Sequence, residues 1–219
     1  MQRGGAAQRP LPRGPHNLTR DDVLASQRQR MTDAMAATVA RKGYAGTTVG
    51  DVVSGAGVSR KTFYEHFRDK EECFLAAFDA GVEALLAAIV AAEPRERGWL
   101  GVLRARVRGY LCALAARPGF ARTFLLEVYA AGPRAIERQQ RVHGRFKELL
   151  ESLHAETRRE YPDLPAPPDM AWTAAVGAVN EVVSQHVRDG NEDKLPALED
   201  DLVRILVALF GVPRGGSDG

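Results

Sequence analysis

The chain has 219 residues, 45% of them hydrophobic and 26% charged, and 30 Lys or Arg against 28 Asp or Glu leave a net charge of +2. That balance excludes a chain disordered throughout, and the length suits a small domain joined to a larger one. Cys73 and Cys112 have neither a Cys-x-x-Cys spacing nor a neighbouring His pair, so the sequence signals no metal site and no disulfide framework, and a reducing cytoplasm is the expected setting.

Residues 1–18 are rich in Gly, Pro and Arg and lack an apolar segment, which predicts a disordered basic tail without an export signal. Its arginines, with Arg20, supply most of the excess of 12 Lys or Arg over 9 Asp or Glu in residues 1–80. The tail is either a leader without a role or a basic arm that reaches a minor groove. The longest apolar run, Ala84 to Ala92, is too short to span a bilayer, so no membrane partner is expected. Thr19 reads as an N-cap with Asp22 as its capping-box partner, opening a helix that runs to Lys42 before Gly43 stops it. Met31, Met35 and Val39 form its core-facing stripe, and Tyr44 and Ala45 bridge to the next element.

Thr47 to Phe67 reads TTVGDVVSGAGVSRKTFYEHF, two short helices around a tight turn. Val49, Val52 and Val53 place an apolar stripe on a first helix opened by Thr47 and Thr48. Gly57 supplies the positive φ of the turn, Val58 an apolar plug and Ser59 the N-cap of a second helix. On that helix Phe63 and Phe67 share a face and pack on the valines, while Lys61 and Tyr64 point away. Arg60, Lys61 and Thr62 crowd its first turn, where a helix-turn-helix meets base edges and phosphates in the major groove. The alternative is a plain amphipathic helix pair with a solvated Arg-Lys dipeptide.

Asp69, with Glu72 as box partner, opens a helix through Phe74, Phe78, Val82, Leu85 and Ile89 that links two domains. From Pro94 onward, apolar segments alternate with helix breakers, without strand alternation or internal repeat. They predict helices over Gly98–Ala116, Pro118–Val128, Pro133–Glu160, Pro168–Asp189 and Leu195–Gly211, with a Pro-rich loop at Pro162 to Pro168. The fold class is therefore all-α. A helix-turn-helix domain spans residues 19–68, a linking helix 69–93, a larger helical domain 94–212 and a flexible tail 213–219. The last two helices are unusually apolar for a chain end, and either finish the monomer's core or bury into a partner.

The segment GVSRKTFYEHFRDKEECF, together with the Thr pair before it, resembles the DNA-binding end of the TetR family of bacterial transcriptional regulators, a similarity covering about Ser26 to Phe78. The resemblance implies a cytoplasmic DNA-binding regulator rather than an enzyme. By it, Thr47 and Thr48 contact phosphate, Ser59, Arg60, Lys61 and Thr62 work in or beside the groove, and Tyr64, His66 and Lys70 hold backbone phosphates. Glu65 would repel phosphate and is expected to turn aside. The resemblance also implies a homodimer through the two C-terminal helices on a palindromic operator, with half-sites roughly 34 to 36 Å apart. It further implies a repressor, released when an unidentified small molecule enters a cavity among the middle helices.

The candidate lining residues for that effector are Tyr110, Phe124, Tyr129, Phe146, Trp172 and Asn180, with Glu127 and Glu181 as carboxylates set in apolar runs. Each also reads as ordinary core or surface. Neither a cofactor nor a metal is expected. A helical enzyme is the contrasting reading, through Glu151 and His154 spaced as in di-iron bundles, but that chemistry needs a second Glu-x-x-His that the chain lacks. A dimeric DNA-binding regulator without a ligand is the third.

Overall fold

The structure is a computed structural model that describes residues 19–163 and 166–210. The expected tails, the stop at Gly211 and part of the Pro-rich loop lie outside the described residues. Every regular element among those residues is a helix: α1 Arg20–Gly46, α2 Val49–Ala56, α3 Arg60–His66, α4 Lys70–Ala91, α5 Gly98–Ala115, α6 Pro118–Leu125, α7 Pro133–Glu160, α8 Asp169–Arg188 and α9 Glu199–Leu209. Short 3-10 segments, Glu127–Ala131 and Glu192–Leu198, precede α7 and α9.

Capping chemistry sets the first four starts. Thr19 and Asp22 exchange both bonds of a capping box, and Thr48 and Asp51 do the same ahead of α2. Asp69 accepts from the Glu72 amide, but Glu72 gives its carboxylate to the Arg68 N–H instead of completing a box. Gly43, at φ 72° and ψ 165°, breaks α1 where the sequence places its end, and residues after it turn toward α2. Gly57, at φ 63° and ψ 40°, makes the left-handed turn into α3.

Two helix spans differ from the sequence reading, each for a local reason. The expected Pro118–Val128 helix stops at Leu125, and the tighter 3-10 winding after it aims Glu127 at α1, where its carboxylate accepts the Tyr44 N–H at 2.8 Å. The expected helix from Leu195 starts at Glu199, because Pro196 has no N–H to donate to an α-helical ladder and sits in the 3-10 segment.

α4 is long and apolar enough to cross a membrane by length and composition alone. Here ten of its residues, among them Phe74, Phe78, Leu85 and Ile89, are buried against α1, α5 and α6. Its exposed side carries Glu71, Asp79 and Glu83, which pair with Arg134, Arg138 and Arg145 of α7. One apolar core runs from Met31 in α1 to Phe210 after α9.

Cys73 lies in that core, fully buried, and burial pushes its thiol up to about 12; Cys112 is exposed on α5. A maleimide added to the native protein is therefore expected to label Cys112 alone and to reach Cys73 only on unfolding. Mass spectrometry of the labelled peptides checks this, and native labelling of Cys73 would refute the packing of α4 on α1.

Candidate functional site

α3 is short, and its inner face does the anchoring. Phe63 and Phe67 are 0% and 1% exposed, with ring centroids 5.6 Å apart, and Val52 of α2 is buried with them. Val49 and Val53 are partly buried and pack against the same core at its edge, as the valine stripe predicts. Arg30 of α1 donates to the Ala56 carbonyl at 2.8 Å and caps the end of α2. Arg28 donates to the His66 carbonyl and lies over the Phe67 ring at 4.4 Å, closing the end of α3. α1 thus fastens the recognition pair at both of its C-termini.

The outer face of α3 presents Arg60, Lys61, Tyr64 and Glu65, all exposed. Ser59 accepts the Thr62 N–H at 3.0 Å, and the two hydroxyls lie 2.9 Å apart. Two cations at the first turn of a helix oppose its own dipole, so their placement serves something outside the helix. A groove lined with phosphates and guanine acceptors meets that requirement.

The larger domain holds a cavity of about 180 Å³, bounded by α4 to α9. Its wall is mostly apolar, with Leu103, Val107, Leu150, Leu153 and Val176 among the contributors. Phe124 of α6 forms part of this wall, stacks on Phe78 of α4 at 5.7 Å, and lies 6.5 Å from Phe146 of α7. Phe78 faces Phe74 at 6.4 Å, and Phe74 meets Tyr44 edge-on at 4.9 Å. Aromatic rings therefore run unbroken from the cavity to the hinge between α1 and α2.

Residues 32–77 match the family model of bacterial regulatory proteins of the tetR family. Residues 32–77 are therefore a DNA-binding domain of the TetR type. No curated protein sequence matches it. Among solved structures, the fatty acid degradation regulator FadR from Bacillus halodurans is 22% identical with a TM-score of 0.72, over 85% of this chain and 96% of that one. FadR from Bacillus subtilis, solved in complex with stearoyl-CoA, is 19% identical with a TM-score of 0.69, over 82% and 97%. The TetR-family regulator PfmR from Thermus thermophilus is 23% identical with a TM-score of 0.61, over 81% and 95%. These likenesses extend the common fold across both domains.

Within this TetR-type domain, the sequence-predicted DNA contacts divide. Thr48, Ser59, Arg60, Lys61 and Tyr64 are exposed, and Thr62 is half-buried beside them. Thr47 is 1% exposed and donates its hydroxyl to the Gly43 carbonyl at 2.8 Å, so it fixes the hinge instead of reaching phosphate. Lys70 also turns inward, donating to the Tyr44 carbonyl at 2.9 Å with its ammonium 4.1 Å from the Tyr44 ring centroid. The His66 ring lies 3.3 Å from the Gln27 amide oxygen, and burial, then Arg28, lowers its pKa, leaving no cation for a phosphate at neutral pH. Asp51 sits between Lys42 and Thr48, whose bonds hold its carboxyl down to about 2, so it is ionised and reserved for capping α2.

Tyr110, Phe124, Phe146 and Asn180 line the cavity; the other four candidates do not. Glu127 is committed to the Tyr44 amide. Tyr129 is 49% exposed, because the 3-10 winding turns it outward. Trp172 packs on Phe210 at 4.8 Å and His154 at 5.3 Å, one turn of α8 before the cavity-lining Val176 and outside the cavity wall. Glu181 is exposed and paired with Arg188. The carboxylates expected to be trapped in apolar surroundings are thus both satisfied elsewhere. Sequence reasoning missed His143 and Arg106, whose neighbours in Arg-Val-His-Gly-Arg and Leu-Arg-Ala-Arg read as solvated. The signal was helical spacing: His143, Phe146, Leu150 and Leu153 share one stripe of α7.

The Glu-x-x-His pair of the enzyme reading does not converge. Glu151 pairs with Lys147 at 3.6 Å, whereas His154 is buried against Trp172 and Phe210.

Proposed function

We propose that this regulator is a homodimeric repressor that leaves a palindromic operator when an apolar small molecule fills the cavity. The observation that carries the reading is the continuity of α6 with the 3-10 segment after it: Phe124 of α6 forms cavity wall, and Glu127, three residues on in that segment, holds the Tyr44 amide at the hinge of the DNA-binding domain. A ligand that displaces Phe124 acts on the segment that sets where α2 and α3 point. Typical couplings of about 1 to 3 kcal/mol change operator affinity roughly 5- to 150-fold, enough for a switch. The stearoyl-CoA complex of Bacillus subtilis FadR supports an effector with an apolar tail.

Dimerisation is supported by the outer face of α8, where Met170 is 71% exposed and Thr173, Ala174 and Gly177 are exposed with it. Small residues there let a second helix approach closely, and partly exposed Ile205 and Leu209 of α9 extend the apolar character. The DNA contacts we assign are Arg60 and Lys61 to the groove and Thr48, Ser59, Thr62 and Tyr64 to the backbone.

The test is selection of bound duplexes from random DNA at about 150 mM salt, where screening suppresses weak non-specific attraction. A palindrome supports the dimeric regulator, and a reporter driven through that site should fall when the protein is supplied; a rise would replace repressor with activator. Absence of any enriched motif would refute the sequence-specific reading. On the selected site, Lys61→Ala should weaken binding with helicity and dimerisation intact. If Lys61 touches phosphate, the salt slope falls by about one unit; if Arg60 reads a guanine, Arg60→Ala costs roughly 1 to 3 kcal/mol and relaxes one base position. Unchanged affinity for both variants would overturn the assignment.

A further inference from the structure

The cavity's hydrogen-bonding groups are as informative as its apolar wall. Tyr110, His143 and Asn180 reach it from α5, α7 and α8. Tyr110 is 9% exposed, its ring is fixed edge-on against Phe146 at 5.8 Å, and its hydroxyl has no hydrogen-bond partner among the described residues. A hydroxyl on a cavity wall that no protein group engages is free to donate to a molecule bound there. Burial alone raises its pKa, which keeps it an O–H donor.

His143 is engaged on both sides. Gln139 Nε2 lies 3.2 Å from His143 Nε2, and Asn180 stands on the ring's other side, where it favours the protonated form. With Gln139 donating to Nε2, the ring proton sits on Nδ1; an Asn180 carbonyl oxygen turned toward it, which would favour the protonated ring, leaves the Asn180 N–H groups as donors. The Tyr110 donor does not depend on that arrangement. Burial lowers the His143 pKa, so the ring is neutral. Arg106, a cation on the wall, is held at the end of α4, where its Nη1 reaches the carbonyls of Ile89, Val90 and Ala92. Glu156, the acid on the wall, is exposed.

We infer that the effector is an apolar molecule with an uncharged carbonyl, a ketone or an ester, whose oxygen accepts from the Tyr110 hydroxyl and the Asn180 amide. A carboxylate at the same place would lose its hydration without meeting an uncommitted cation. A volume of about 180 Å³ holds on the order of ten to fifteen water-sized groups, the size of a medium-length chain and not of a long one. The inference rests on the reading of the cavity as a ligand site.

Thermal unfolding of the full chain, titrated with methyl octyl ketone, decanoate and decane, tests it, because a ligand that binds only the folded state raises Tm. The ketone should reach its half-maximal effect at about 10-fold lower concentration than decanoate. Tyr110→Phe, which keeps the ring and removes the donor, should weaken the ketone by about 10-fold and leave decane unchanged. Equal potency of decanoate and ketone, or an unchanged ketone midpoint in Tyr110→Phe, would overturn the carbonyl assignment and leave the ligand site standing. A Tm unmoved by all three probes would overturn both.

Discussion

Phe63→Ala should abolish operator binding while the larger domain stays folded. Phe63 is fully buried at the end of the core where α1, α2 and α3 meet, with Met31, Met35, Val52 and Phe67 among its fellows. Truncating a buried Phe costs about 3–5 kcal/mol, since transfer energy and cavity energy add. α3 has seven residues and too few internal hydrogen bonds to persist without that anchor. α5 and α7 bury their apolar faces against each other and against α4, and α8 packs on α6, α7 and α9, so the loss remains local. Hydrogen exchange separates the regions: α2 and α3 amides should exchange freely in the variant while the interior of α5 remains protected. Retained operator affinity, or loss of protection throughout the chain, would refute this division. Lys61→Ala is the contrast, because it removes a contact without touching the core.

The same division explains what the sequence made legible. Where a residue's role is set by near neighbours, spacing and chemistry suffice. Thr19 with Asp22, Gly43, Gly57 and Ser59 all act through partners within four residues, and each lies where its pattern places it. Phe63 and Phe67 follow from helical periodicity. What spacing does not encode is the direction of a polar side chain whose partner is distant in sequence. Lys70 reads as a phosphate ligand until the fold brings the Tyr44 carbonyl, 26 residues away, within 2.9 Å. Glu127 reads as a carboxylate stranded in an apolar run until the Tyr44 amide, 83 residues away, accounts for it. The cavity shows the same limit: Tyr110, Phe124 and Phe146 are bulky enough to be picked as lining, whereas Trp172, equally bulky and on the same stripe of α8 as Val176, sits a turn beyond the cavity, where His154 and Phe210 pack on it. His143 escapes notice because it stands between Arg141 and Arg145, both exposed, and its partners are a turn away or on another helix.

Glu127→Ala is the second large effect expected, and it falls on the link between the domains. The Glu127 carboxylate accepts the Tyr44 N–H, and one of its oxygens lies 3.1 Å from the point where a side chain at Gly43 would begin. The hinge therefore needs Gly43 twice, for its positive φ and for room beside Glu127. A hydrogen bond to a charged group is worth about 1.5–3 kcal/mol, and breaking it leaves a partly buried amide unpaired. The Tyr44 amide should then exchange on the order of 10- to 150-fold faster in Glu127→Ala, whereas Glu127→Gln, which keeps an acceptor, should fall between. Lys70 still holds the Tyr44 carbonyl, so α1 and α4 remain docked and basal operator binding should survive. What should weaken is the response to ligand: displacement of Phe124 reaches the hinge through Glu127, and without that carboxylate the cavity and the recognition helix titrate more independently. The decisive comparison is operator affinity with and without methyl octyl ketone in the two proteins. A ratio unchanged by Glu127→Ala would place the coupling in the packing of α4 alone.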